Sequence, residues 1–186
     1  MTPKTMLTCE EFEKLCLADE LGPCELVDGE VIPLAPGGPE HSFSSNNISV
    51  LLTNFVRRHR LGRVFGNEAG IHTRLDPPCS RGMDVAFFSY RRLPRGNLPK
   101  GFFRVAPELV VEVLGEDDTW ASMERKVREY HDIGVEMVWL ADPETRTVKR
   151  FPRGTEPTVV PADGQISGGD ILPGFVVPVA RFFEDS

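Results

Sequence analysis

The sequence predicts an α/β (α+β) fold in which helices flank a central mixed β-sheet, with a helix and a hairpin at the N-terminus. Three observations carry this. Short apolar runs of strand length recur along the chain, two stretches repeat apolar residues at helical spacing, and strands and helices are interspersed rather than segregated. At 186 residues, with 40% hydrophobic and 26% charged content, the chain has the balance of a globular protein. Its length suits one domain, residues 1–186, large enough to bury a core.

The elements follow in order. Thr8 with Glu11 three places on has capping-box spacing and opens a helix over 8–17. CELVDGEVIPL at 24–34 reads as a hairpin, because Asp28-Gly29 between apolar runs is a favoured two-residue turn. From His41 to His59, Ile48, Leu51, Leu52, Phe55 and Val56 recur at helical spacing, and Arg57, Arg58 and Arg60 suit the negative end of that helix. Strands are expected at 63–66, 69–75 and 83–89, and Pro and Gly make 91–101 a loop. ELVVEVL at 108–114 is a strand. A helix over 119–134 places Trp120, Met123, Val127 and Tyr130 on one face, with Gly134 as its C-terminal stop. Strands at 136–142 and 147–151 follow, and a Pro- and Gly-rich tail adds edge strands before a short turn at 179–183.

Composition removes several functions. No apolar run approaches the roughly 20 residues that cross a bilayer, so no membrane association is expected. The N-terminal stretch is too polar for a signal peptide. Cys9, Cys16, Cys24 and Cys79 form no CxxC pair and have no histidine at zinc-finger spacing, so free thiols and a cytoplasmic location are expected. The net charge of −7 argues against an indiscriminate nucleic-acid coat. That charge is unevenly placed. Residues 1–40 hold nine acids and two lysines, whereas 57–104 hold eleven Arg/Lys against three acids. The basic stretch is either a surface for an anionic partner or a set of solvated arginines.

Three charged residues stand where charge is costly. Glu112 interrupts LVVEVL, a run that reads as a strand covered on both faces. An ionised carboxylate there costs several kcal/mol unless a cation, a metal or a shifted pKa compensates, or the strand end opens into a cleft. Asp84 precedes VAFF, as a turn residue or as a second carboxylate on a core strand. Two such carboxylates would suit a hard cation such as Mg²⁺. Lys126 flanks the apolar stripe of its helix close to Tyr130, either solvated or reaching over the sheet toward Glu112.

Taken in order, these segments resemble the PD-(D/E)XK nuclease superfamily and, within it, the Uma-two family of restriction-endonuclease-like proteins, over roughly residues 8–183. The resemblance runs through CELVDGEVI, Pro39-Glu40-His41, MDVAFFS, APELVVEVL, the Lys126–Tyr130 segment, GVEMVWLADP and LPGF. It implies a restriction-endonuclease-like core and Mg²⁺- (or Mn²⁺-) dependent hydrolysis of DNA. By the same resemblance Asp84, Glu112 and the Val113 carbonyl hold the metal. Lys126 is the catalytic lysine moved onto the following helix, Glu25 an additional catalytic acid and His41 an accessory residue. Arg57, Arg58, Arg60, Arg91 and Arg92 would hold the DNA, most often double-stranded, and a homodimer is implied. Two departures concern the motif. Met83 replaces its proline, and Leu114 fills the place of its lysine, so catalysis depends on Lys126. The acidic turn Glu116, Asp117, Asp118 would repel phosphate or bind a further cation. The alternative is a catalytically degenerate nucleic-acid-binding or scaffold module that retains the fold.

Overall fold

The computed structural model describes residues 6–96, 98–116 and 118–185. Asp117 of the acidic turn lies outside them. Helix α1 (Cys9–Leu17) starts at a Thr8 cap, where Thr8 and Glu11 form the reciprocal capping box. Strands β1 (Cys24–Val27) and β2 (Glu30–Pro33) form the expected hairpin, with Asp28 and Gly29 both at positive φ. Helix α2 (Pro39–His59) follows, with proline in its first turn and Arg60 at a left-handed cap.

Two departures from the sequence reading come next. Residues 63–66 and 69–75 are not separate strands but one, β3 (Gly62–Leu75), whose pairing breaks between Gly66 and Ala69. Asn67 and Glu68 occupy that break in the left-handed conformation, so the strand bends without ending. Strand β4 (Pro78–Ser89) begins five residues before the expected start, which puts Asp84 mid-strand rather than at a strand start. Then come β5 (Leu109–Val113), α3 (Trp120–Ile133), β6 (Met137–Asp142), β7 (Thr147–Pro152) and β8 (Thr158–Val160). Strands β9 (Gln165–Ser167) and β10 (Val176–Pro178) form a small antiparallel sheet of their own before a single 3₁₀ turn.

The main sheet runs β2-β1-β4-β5-β6-β7-β8, with β3 also paired to β4. Among the strands of the described residues only β5 and β6 pair in parallel, joined through α3, so the sheet is mixed. One face packs Val85, Phe87, Val111 and Trp139 against Ile48, Leu52 and Val56 of α2. The other packs Ala86, Phe88, Val110 and Val138 against Met123, Val127 and Tyr130 of α3. Strand β5 is buried at all five positions, as a strand covered on both faces must be. Trp120 does not share the buried face of α3. It stands half-exposed at the first turn, with the Lys149 ammonium 5.0 Å from its ring centroid.

Candidate active site

The two suspect carboxylates meet. Register places Val85 opposite Val111, which sets Asp84 across from Glu112 one step further along the same antiparallel pair. The Val113 N–H donates to Asp84 Oδ2 at 2.7 Å, locking the strands together at that point. Both side chains are more than nine-tenths buried.

Helix α3 covers this pair with residues one turn apart. Lys126 Nζ stands 3.2 Å from Glu112 Oε2, and the Tyr130 hydroxyl donates to Glu112 Oε1 at 2.6 Å. Lys126 also pairs with Glu25 Oε1 at 3.0 Å. Glu25 is buried on β1, and protein donors engage both its oxygens. Arg81 Nη1 donates to Oε2 at 2.8 Å and the Gly82 N–H to Oε1 at 3.2 Å. Arg81 in turn makes a two-point contact with Glu129 of α3, at 2.7 and 3.0 Å. Glu129 also accepts from Thr73 and Arg125. The lysine is therefore seated by a buried ionic chain from β1 through β4 to α3. Leu114, in the place of the motif lysine, packs against the apolar cluster on the α3 side.

His41, in the first turn of α2, places Nε2 3.2 Å from Asp84 Oδ2. The contact with Asp84 raises the His41 pKa above its usual value, against the effect of burial. Burial works against the Asp84 charge, but His41, the Val113 N–H and Lys126 together hold its carboxyl below the ordinary value. Complete burial pushes Glu112 up to about 8; Lys126 and Tyr130 pull it down and Asp84 pushes it further up. Burial disfavours the Lys126 ammonium, yet Glu112 and Glu25 outweigh it and hold the amine protonated.

Sequence reasoning missed Glu68. Its position in the β3 break turns its side chain toward Asp84, over Gly82, where a Cβ would come within 2.2 Å of Glu68 Oε2. Burial first and the Asp84 charge second push the Glu68 carboxyl up to about 7. Asp84, Glu112, Glu68, His41 and Lys126 line one cavity of about 450 Å³.

The predicted nucleic-acid residues are not at this cavity. Arg57, Arg58 and Arg60 are exposed at the far end of α2, about 24 Å from His41 at ~1.5 Å rise per residue. Arg91 is exposed, 3.8 and 3.7 Å from Glu108 and Glu136. Arg92 is absorbed by structure: its guanidinium bonds the carbonyls of Ala106, Pro107 and Gly134 and pairs with Glu108 and Glu136. Arg74, Arg81 and Arg104 of the basic stretch likewise pair with Asp28, Glu25, Glu129 and Glu13.

Paired carboxylates on adjacent core strands are thus faced by an amine from the following helix. Residues 9–180 match the Uma2 family model, described as "Putative restriction endonuclease", and the chain belongs to that family. The fold is shared with a solved structure from Anabaena variabilis ATCC 29413, described as a "putative nuclease belonging to DUF820". That protein is 21% identical, with a TM-score of 0.81 over 95% of this chain and 97% of the other. No curated protein matches the chain. Among the described residues, no helix is long and apolar enough to cross a membrane.

Proposed function

We propose that this chain is a divalent-metal-dependent nuclease that hydrolyses DNA phosphodiester bonds. The carrying observation is the buried Asp84–Glu112 pair on adjacent strands with Lys126 Nζ 3.2 Å from Glu112. Among the described residues, no three His, Cys, Asp or Glu side chains form a metal cluster by themselves. The donor set nonetheless fits a hard cation. Asp84, Glu112 and the Val113 carbonyl are oxygen ligands, and burial first, with the Asp84 charge adding to it, raises Glu112 to about 8 and Glu68 to about 7, a cost that a bound cation would relieve. Mg²⁺ (or Mn²⁺) held there would activate a water and offset charge on the phosphate.

The chain's own residues then divide the work. Lys126, held as an ammonium, faces the position where phosphate charge develops and stabilises it. Tyr130 and Lys126 orient the Glu112 carboxylate. His41 orients Asp84 and, on the solvent side of the pair, can give a proton to a departing oxygen. Glu25 acts here by holding Lys126, since both its oxygens are already bonded. One copy carries one such site, so cutting both strands would take two copies, and the expected homodimer belongs to this proposal.

The test is a plasmid-nicking assay in Mg²⁺ and Mn²⁺ with Glu112→Ala and Lys126→Ala alongside. Nicking by the wild type alone is expected. Equal inertness of all three on single-stranded, duplex and branched substrates would sink the proposal.

A further inference from the structure

We infer that one strand of the nucleic acid reaches the site along a groove between α2 and the break in β3, and not across the β6–β7 side. This rests on the phosphodiesterase reading above and adds the direction and surface of substrate entry. The groove, about 270 Å³, opens from Asp84, His41 and Glu68 and runs between α2 and Gly66-Asn67. Its α2 wall is Ser42, Ser45, Asn46 and Ser49, spaced i, i+3, i+4 and i+7, hence one face of the helix.

Three further observations point the same way. First, residues 41–56 of α2 contain no Asp, Glu, Lys or Arg, an uncharged run between Glu40 and Arg57. A surface helix usually solvates its outer face with charge, and this one carries hydroxyls and amides, with Phe43 and Val50 also exposed, instead. Second, the side chains of Ser45, Asn46, Ser49 and Asn67 make no hydrogen bond to any described residue, leaving donors free for phosphate and sugar oxygens. Third, the stripe continues through Thr53 to Arg57, one of three exposed arginines at the end of α2.

The other mouth of the site has the opposite character. A cavity of about 260 Å³ joins the site through His41, Gly115, Glu116 and Asp118, which line both, and adds Glu40, Asp142 and Glu144. A phosphate backbone would meet like charge there. Groove and arginines together span about 24 Å along α2, the length of about seven stacked nucleotides at ~3.4 Å each. The arginines that looked misplaced relative to the carboxylates thus lie at the far end of the strand's path.

The test measures anisotropy of a 5′-fluorescein single-stranded DNA 20-mer in EDTA, where no metal-dependent hydrolysis consumes the probe. Asn46→Glu and Ser49→Glu should each weaken binding about tenfold, and Ser49→Arg should tighten it severalfold, a gain that misfolding cannot mimic. Val159→Glu, on the distant β8 edge, should bind as wild type. Unchanged affinity in the glutamate variants, or no gain from arginine, overturns the groove. If such a protein still nicks DNA in Mg²⁺, the nuclease reading stands without it. A wild type that neither binds nor nicks removes both.

Discussion

Replacing Glu112 by glutamine should stabilise the metal-free protein while abolishing its activity. Complete burial holds this carboxyl at about 8, against an ordinary 4.5. Between those values the unfolded chain releases a proton that the folded chain keeps, so folding is penalised as pH rises. The penalty is absent below about 4.5, grows through neutrality and is full above about 8. At about 1.4 kcal/mol per pH unit it reaches about 3 kcal/mol at pH 7. Glutamine removes that cost, which is already net of the attraction to Lys126, and Lys126 keeps Glu25 as its partner. The glutamine carbonyl can accept from only one of the two donors now bonded to Glu112. The net gain expected is about 1–2 kcal/mol at pH 8, or a Tm rise of about 2–8 °C at this chain length. Thermal denaturation in EDTA from pH 5 to pH 9 tests it, with the two proteins converging at the acid end. In saturating Mg²⁺ the order should reverse, because only the wild type gains binding energy on folding. A glutamine variant less stable than wild type at pH 8 in EDTA, or a difference that does not vary with pH, would refute the reasoning.

Other perturbations test other parts of the same assembly. Arg81→Met leaves Glu25 to Lys126 and the Gly82 N–H, and Glu129 to Arg125 and Thr73, and removes the cation that joins the two, so it should cost about 3 kcal/mol in urea denaturation. Lys126→Met should lower the nicking rate by about 10²–10³-fold, with a smaller loss of stability because Glu112 can take up a proton instead. Gly82→Ala brings a Cβ within 2.2 Å of Glu68 Oε2 and should displace that flexible carboxylate from Asp84. Magnesium affinity measured by calorimetry should change, while stability falls by about 1 kcal/mol. Burial opposes the Glu129 charge, yet Arg81, Arg125 and Thr73 together hold its carboxyl below 4.5. Its contribution is present above 4.5 and lost as pH falls through the folded value, so Glu129→Gln should flatten the acid limb of the stability profile.

What the sequence made legible divides by range. Elements fixed by neighbours along the chain were readable. The Thr8–Glu11 box, the Asp28-Gly29 turn and Gly134 at the end of α3 are decided within three or four residues. Strand β5 was readable because five buried positions leave an apolar run broken only by Glu112. The start of β4 was not, since Ser80, Arg81 and Gly82 look like loop chemistry. Arg81 is tolerated in a core strand only because two carboxylates from β1 and α3 meet it, and neither adjoins it in sequence. The same long-range pairing bears on the reading of charge. The net positive stretch read either as a phosphate surface or as solvated arginines, and several of its arginines are paired with acids of the first forty residues.

The candidate site shows the same limit at finer scale. Asp84, Glu112 and Lys126 could be singled out because each breaks a local pattern, whether a buried strand or an apolar helical stripe. Glu68 breaks none. It lies between Asn67 and Ala69 in what reads as a gap between strands, and such a glutamate is ordinarily solvated. Only the left-handed turn of Asn67 and Glu68 carries it inward, and only the missing side chain at Gly82 leaves it room. The break in β3 thus does two things a regular strand could not. It aims a fourth acid at the Asp84–Glu112 pair, and its Gly66 and Asn67 line the groove that ends there against α2. A substitution that restored regular pairing at 67–68 should therefore remove the acid and narrow the groove together, which ties the site to its entrance through one backbone feature.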